Sequence, residues 1–519
     1  MGQGTVDRAK LRSRCRIAAW CVLCVLAMVV RPDGWPSRAR AHLPEGTPPR
    51  GPNILILMGD DHAGGTLGID GDPRRATPRL DALARQGVRF DRAYCNSPLC
   101  TPSRQSLITG RMPHAVGVTR LTTPMPDDAL TLGDWLGDLG YRTAAFGKMH
   151  FNSPAHHGFQ EMADTDDWFR WLRANPPAGG DHHRKWRPFQ VPAAEWMNAA
   201  CKPYGLPLAS MEATYYVNRA VEFLRRDDDE PFALVVSFYE PHAPFKFPDE
   251  WAGRFKPEQF TVPQASEADL REQPEVFASL TPDQARGIQA AYYTAVSHMD
   301  YQVGRVLDAL EASGHADDTI VIYLGDNGYM LGQHGRFEKH CFYEPSVRVP
   351  LLARWPGRLP ADRRVTDLVE LIDVVPTLLD LAGLPAPPDL HGRSLKGLAA
   401  GTPGAKGRDV VVSEYQENEE AMARSSRYKL VVGTGARQRE DGYETGRPLP
   451  GPYERLYDLE ADPGEDVDLL PTRPDLAAVA ADLRHQLFLR LSTTREGRTP
   501  VPAALSEIDA IRWCLVPQD

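Results

Sequence analysis

Two pairs of hard oxygen donors, Asp60-Asp61 and Asp326-Asn327, each follow a short apolar run. Carboxylate and amide oxygens suit Ca²⁺ or Mg²⁺, and two such pairs brought together can share one cation. Taken singly, each pair reads as the ordinary cap of a helix or turn. A third segment, Cys100-Thr101-Pro102-Ser103-Arg104, puts a thiol where Pro102 predicts the first turn of a helix that stops at Gly110. Cys100 then lies at a helix N-terminus, where backbone N–H groups favour an anion, with Arg104 one turn further on. The plain alternative is a small buried Cys before an ordinary helix. An unmodified thiolate nucleophile is a third reading, but no cysteine-protease signature surrounds the residue. Further candidates are Lys148 and His150 in Gly147-Lys148-Met149-His150, His242 in Pro241-His242-Ala243-Pro244, and Lys339 in Gly335-Arg336-Phe337-Glu338-Lys339. Each alone is a solvated lysine or a loop histidine.

The elements that must position these residues repeat one pattern. Pro52–Met58 is a buried-strand run ending at Gly59-Asp60-Asp61, and Tyr141–Phe146 leads into Gly147-Lys148. Phe232–Tyr239 leads into Glu240-Pro241-His242, and Thr319–Leu324 into Gly325-Asp326-Asn327. Helices are expected from Thr77-Pro78 to Gly87 and over Ala285–Ser313. Alternating strands and helices predict an α/β fold, a large mostly parallel sheet flanked by helices. In such sheets ligands bind outside the carboxyl ends of the strands, where all four polar clusters fall. Residues 164–210 interrupt the pattern with Trp168, Trp171, Trp186, Trp196 and the basic run His182–Lys185, and read as a rim loop. Beyond about residue 405 short strands (Asp409–Glu414, Tyr428–Val432, Arg455–Leu459) and a helix at Leu476–Leu491 predict a smaller antiparallel-sheet subdomain over 405–519. Residues 42–404 then form the catalytic domain.

Composition limits the classes available. The chain has 519 residues with a formal net charge of −10, 25% charged and 42% hydrophobic residues, as in a globular protein. An acidic balance argues against a nucleic-acid partner. Arg8, Lys10, Arg12, Arg14 and Arg16 precede an apolar run from Ile17 to Val30, too short to span a bilayer. With Ala39-Arg40-Ala41 as a cleavage site, residues 1–41 read as a signal peptide for periplasmic or extracellular export, with no stable membrane insertion afterwards. Of the eight cysteines, Cys95, Cys100, Cys201, Cys341 and Cys514 remain, an odd number that leaves at least one thiol unpaired.

Cys100-Thr101-Pro102-Ser103-Arg104 followed by Thr109-Gly110 resembles the signature of the type I sulfatases of the alkaline-phosphatase-like superfamily. Gly-Lys-x-His, Pro-His-x-Pro and Asp-Asn-Gly follow in that family's order, so the resemblance covers nearly the whole chain after the leader. It implies that a separate maturase oxidises Cys100 to Cα-formylglycine, whose hydrated form attacks sulfur, with Arg104 holding the diol. It further implies that Asp60, Asp61, Asp326, Asn327 and the modified Cys100 bind Ca²⁺, with Mg²⁺ as the alternative. Lys148 and Lys339 then contact sulfate, His150 takes a proton from the diol, and His242 contacts sulfate and the leaving alcohol. Such a site meets a plain demand, because charge spreads over several sulfate oxygens and the leaving oxygen needs a proton. His334, in Gly332-Gln333-His334-Gly335, reads as structural, and His62 and His114 as loop stabilisers.

The stretch from Gly328 to Lys339 resembles bacterial carbohydrate and iduronate-type sulfatases, so a sulfated saccharide is the expected substrate. Gly147–Phe151 is also similar to choline sulfatases. The tryptophans of 164–210 either stack on sugar faces or pack the loop onto the body. Rival expectations are a choline or aryl sulfatase, a phosphonate or phosphate monoester hydrolase on the same fold, and a non-catalytic binding protein.

Overall fold

Runs of apolar residues that alternate between two cores set the frame. In the computed structural model, which describes residues 51–518 except 178–191, 227, 229, 440–441 and 496, β1 (Asn53–Asp60) is buried along its whole length. Ile54, Ile56 and Met58 enter one core while Leu55 and Leu57 enter the core on the opposite face. That two-sided burial is why the run lacks the apolar–polar alternation of a half-exposed strand.

Around β1 lie β2 (Val88–Tyr94), β3 (Arg142–Gly147), β4 (Glu161–Ala163), β5 (Phe232–Pro241) and β6 (Thr319–Gly325), followed by β7 (Arg348–Val349), β8 (Leu351–Arg354) and β9 (Arg363–Glu370). They form one nine-stranded sheet in the order β4-β3-β5-β1-β6-β8-β2, with β7 and β9 also bonded to β2. The β4-β3-β5-β1-β6 half is parallel throughout. β8 runs antiparallel to both β6 and β2, and β7 continues its direction after a break at Pro350, which has no N–H to give to a ladder. The sheet is therefore mostly parallel with one inverted position.

Helices cover the faces. The long helix Pro282–Ala312 starts three residues before its expected position because Thr281 caps it, accepting from Gln284 N while Gln284 bonds back. The helix Cys100–Thr109 is buried on every side and ends at Gly110, whose φ of 64° suits a left-handed C-cap.

The second sheet is antiparallel, ordered β10 (Val411–Tyr415), β11 (Glu420–Arg424), β12 (Tyr428–Gly433), β13 (Tyr453–Asp458). Helices Ala477–Thr493 and Glu507–Leu515 share a core with it that includes Leu430, Leu456, Leu483 and Ile511. Asn96, Glu370 and Asp373 bind it to the main sheet through Val412, Glu414 and Arg408.

Residues 165–174 form a helix, not loop, started by a capping box between Asp164 and Asp167. Its Trp168 is 1% exposed and donates to the Ser210 carbonyl at 3.0 Å, and Trp196 is also buried. These two tryptophans pack the segment onto the body. Trp186, the run His182–Lys185 and the leader 1–41 lie outside the described residues. All five described cysteines are free thiols. Among the described residues no helix is long and apolar enough to cross a membrane.

Candidate active site

The carboxyl ends of β1, β3, β5 and β6 deliver the candidate residues to one place. Asp60 closes β1 and Asp61 follows it with φ 65°, which turns its backbone N–H to Asp326 Oδ1 at 3.0 Å. Asn327 Nδ2 donates to Asp61 Oδ1 at 2.8 Å. All four side chains are fully buried. Oxygens of Asp60, Asp61 and Asp326 lie within 4.8 Å of one another.

Three oxygens of this cluster, Asp60 Oδ1, Asp61 Oδ2 and Asn327 Oδ1, accept no hydrogen bond. Buried acceptors left unpaired are costly, and hard oxygens left this way fit a hard divalent cation. Electrostatics agree. Burial pushes the Asp326 carboxyl up to about 7, with Arg104 opposing and Asp60 and Asp61 adding repulsion. Burial also works against ionised Asp60, yet Lys148, His242, Arg104 and Lys339 outweigh it and hold that carboxyl well below its usual range.

Arg104 knits the strand ends together. Its Nε donates to Asp326 Oδ2 at 2.7 Å, one terminal nitrogen sits 3.3 Å from Asp60 Oδ1, and the other donates to Ser237 Oγ at 2.7 Å and to the Lys148 carbonyl. In this arrangement Arg104 braces the carboxylates. Cys100, the first residue of its helix, is 3% exposed, with Lys339 Nζ 3.3 Å from its sulfur. Lys339 Nζ also meets Asp61 Oδ1 at 2.5 Å, and Lys148 Nζ meets Asp60 Oδ2 at 2.5 Å. Burial opposes the Lys339 charge, but Asp61, Cys100, Asp60 and Asp326 hold it well above the ordinary lysine range.

Gly147 lets Lys148 reach this point. It has φ 108°, and a Cβ there would lie 1.8 Å from the Ser237 carbonyl oxygen, so β3 and β5 close together only with glycine.

The two candidate histidines are neutral. His242 Nδ1 lies 2.7 Å from the Ala243 carbonyl, which can only accept, so Nδ1 carries the proton and Nε2, 3.8 Å from Asp61 Oδ2, carries the lone pair. Burial pushes this imidazole down to about 4, against the pull of Asp61. Burial, Lys148 and Arg104 together press His150 well below the usual range, and its Nδ1 has no hydrogen-bond partner.

The other histidines face elsewhere. His334 is clamped between Asp269 Oδ1 and the Gly464 carbonyl, both at 2.8 Å, and stacks on Tyr343. His62 bonds the Tyr323 hydroxyl and His114 bonds Glu414. Sequence reasoning missed three participants. Ser237 ties the Lys148 carbonyl to Arg104, Ser103 Oγ donates to the Asp326 carbonyl at 2.5 Å, and the Tyr239 ring lies 5.0 Å from Lys148 Nζ. A hydroxyl inside the apolar run Phe232–Phe238 was the available signal for Ser237.

Known proteins resemble this chain in sequence and fold. The Sulfatase family profile matches residues 52–384, and that of N-sulphoglucosamine sulphohydrolase, C-terminal, matches 332–492. An arylsulfatase of Clostridium perfringens is 28% identical over 86% of this chain and 96% of its own length. A choline-sulfatase of Rhizobium meliloti is 31% identical over 89% of this chain and 90% of its own. Among solved structures, a phosphonate monoester hydrolase of Agrobacterium radiobacter superposes with TM-score 0.72 at 25% identity, covering 85% of this chain and 96% of that one. A protein solved with its substrate D-glucosamine-2-N,6-O-disulfate superposes with TM-score 0.69 at 23% identity, covering 87% and 99%. With a family profile running through every strand of the main sheet, and a relative matched over nine-tenths of both chains, the chain belongs to the sulfatase family and is a sulfuric ester hydrolase.

Proposed function

We propose that this enzyme releases sulfate from sulfated saccharides, with Cys100 used as Cα-formylglycine beside a divalent cation, Ca²⁺ before Mg²⁺. The observation that carries the reading is the convergence of Lys148, Lys339, His242 and Cys100 on the buried cluster of Asp60, Asp61, Asp326 and Asn327. In that role formylglycine at position 100 would supply the nucleophilic oxygen, and a cation held by those four side chains would polarise the sulfate ester.

This chain's own residues do the rest. Lys148 and Lys339 are fixed ammonium groups against which the negative oxygens of a sulfate ester settle. Neutral His150, with a free Nδ1, is the base for the proton that leaves the nucleophile. His242 presents Nε2 as a base at rest. An anionic ester drawn against it restores basicity, as Asp61 already does in part, and lets it carry a proton to the leaving oxygen. Arg104 and Ser237 keep Asp60, Asp326 and Lys148 in register.

The saccharide preference rests on the resemblance of 328–339 to carbohydrate sulfatases and on the disulfated glucosamine of the structural neighbour. Residues 1–41 are assigned to export, and 42–404 and 405–519 to a catalytic domain and its subdomain. A separate maturase supplies the Cys100 modification.

Mass spectrometry of the Cys100 peptide from active enzyme is the test: formylglycine is expected, and a wholly unmodified thiol refutes the mechanism. Turnover of aryl sulfate beside aryl phosphate separates the phosphonate and phosphate alternative. Chelation and readdition of Ca²⁺ should abolish and restore activity, while thermal melting shifts upward with Ca²⁺ if the cluster holds it.

A further inference from the structure

A cavity of about 220 Å³ lies between the segment that carries Lys339 and the second sheet. Six arginines line it (Arg271, Arg336, Arg437, Arg439, Arg447 and Arg455) against three glutamates. Those glutamates are already engaged. Glu272 holds Arg455 through both oxygens at 2.7 Å, Glu465 takes Lys429 Nζ at 2.7 Å, and Glu420 accepts from Asn418 Nδ2 at 2.7 Å and from the Tyr453 hydroxyl. Behind the wall, fully buried Glu338 binds Arg336 at 2.7 Å and Arg439 at 2.8 Å.

Among the described residues, three guanidinium groups have no carboxylate within hydrogen-bond distance. Arg437 makes no ion pair among the described residues, Arg447 donates to the Leu270 carbonyl at 3.1 Å, and Arg271 reaches Glu267 at 3.8 Å on an open surface. A concave wall with more arginines than carboxylates focuses its field on an anion, and guanidinium forks match the oxygens of sulfate and carboxylate. Tyr453, Tyr457 and Leu449 supply apolar surface on which a sugar ring can lie. The cavity also adjoins the reaction centre along the chain. His340, the residue after Lys339, lines it, and Glu338, the residue before, anchors two of its arginines.

We propose that this cavity is an anion subsite. It holds the sulfate or carboxylate of a further sugar in the saccharide whose ester is cleaved, so the enzyme selects polyanionic chains. The inference rests on the sulfated-saccharide reading above and adds the feature of the substrate that is recognised. Arg437, Arg447 and Arg271 receive the anion, while Arg336, Arg439 and Arg455 hold the wall in place.

The test compares full-length wild type with the double variant Arg437→Gln/Arg447→Gln. Four substrates are used: 4-nitrophenyl sulfate, and three disaccharides with one cleavable sulfate each. The second sugar of these disaccharides is neutral, sulfated or carboxylated. The double variant should raise KM about tenfold for the two anionic disaccharides, equivalent to 1.4 kcal/mol, at unchanged kcat. Aryl sulfate and the neutral disaccharide should be unaffected. Which of the two anionic disaccharides shifts more tells sulfate from carboxylate. Equal KM changes on all four substrates, or none on any, overturn the subsite while leaving the sulfatase reading intact. Absence of sulfate release from all three disaccharides by wild type sinks the underlying reading instead. Should the double variant melt early, a salt series on wild type decides: KM for the anionic disaccharides must climb more steeply with salt than KM for aryl sulfate, and parallel slopes overturn the proposal.

Discussion

Lys339 and His242 both meet Asp61, and burial treats them differently. Lys339 gains more from Asp61 and its neighbours Cys100, Asp60 and Asp326 than it loses by leaving water, so it stays charged. His242 loses more than Asp61 returns, so it stays neutral with the lone pair on Nε2. Lys339→Ala should therefore lower kcat on every sulfate ester by about 10²–10³, the cost of one fixed charge-stabilising group, and because it strands buried Asp61 it should also melt earlier, so kcat is compared well below both melting temperatures. His242→Ala should discriminate among leaving groups. Loss of a proton donor costs roughly 10²–10⁴ where the leaving alcohol is a poor one, as on a sugar, and much less with 4-nitrophenol. Uniform loss on both substrate types would remove His242 from the leaving-oxygen side. At this scale the sequence was informative because Asp60, Asp61, Lys148, His242, Asp326 and Asn327 stand at or just after the ends of apolar strands. Arg104 was harder to read, since its spacing from Cys100 says nothing of Asp60 and Asp326, which it joins.

Elements owe their positions to caps and to buried pairs that pattern alone does not display. Glu212, in the first turn of helix Glu212–Leu224, takes Lys246 Nζ at 2.8 Å and the hydroxyls of Thr165 and Tyr216 at 2.7 and 2.8 Å. Burial alone would raise this carboxyl, but Lys246 and the hydroxyls bring it below its ordinary 4.5. A lowered carboxyl stabilises the fold fully above about pH 4.5 and loses that contribution as pH falls through its folded value. Glu212→Gln should cost about 3–5 kcal/mol near neutral pH by stranding buried Lys246. It should also flatten the fall of melting temperature below pH 4.5, and an unchanged acid slope would contradict the pair. The strands feeding the site were legible from apolar runs, whereas β11, helix Thr165–Ala174 and helix Glu507–Leu515 were not. In β11 the residues Glu420-Ala421-Met422-Ala423-Arg424 read as helix formers, and the pairing of β11 with β10 and β12 overrides that preference.

Across the whole molecule, the two sheets are locked by charge as well as by apolar contact. Arg408, nearly buried, reaches Asp373 through two nitrogens and stands 3.5 Å from Glu370, which also binds Arg490 at 2.8 Å and Val412 N at 2.8 Å. Arg408→Ala leaves two buried carboxylates short of a partner and should destabilise by about 3–5 kcal/mol, read as an earlier melt. If only the second sheet loosens, the melt should split into two transitions. Fold class was legible at this scale because strand–helix alternation leaves few topologies open. The inverted position at β8 was not, since a two-sided buried strand carries no mark of direction. That inversion has a consequence for how the enzyme can change. A strand returning beside β6 in the opposite sense starts on the same rim where β6 stops, so the 326–347 excursion never crosses the sheet. One uninterrupted stretch thereby brings Asp326, Asn327 and Lys339 to the reaction centre and His340 to the arginine-lined hollow. Insertions between Asn327 and Lys339 can remodel what the enzyme grips without rerouting a single strand.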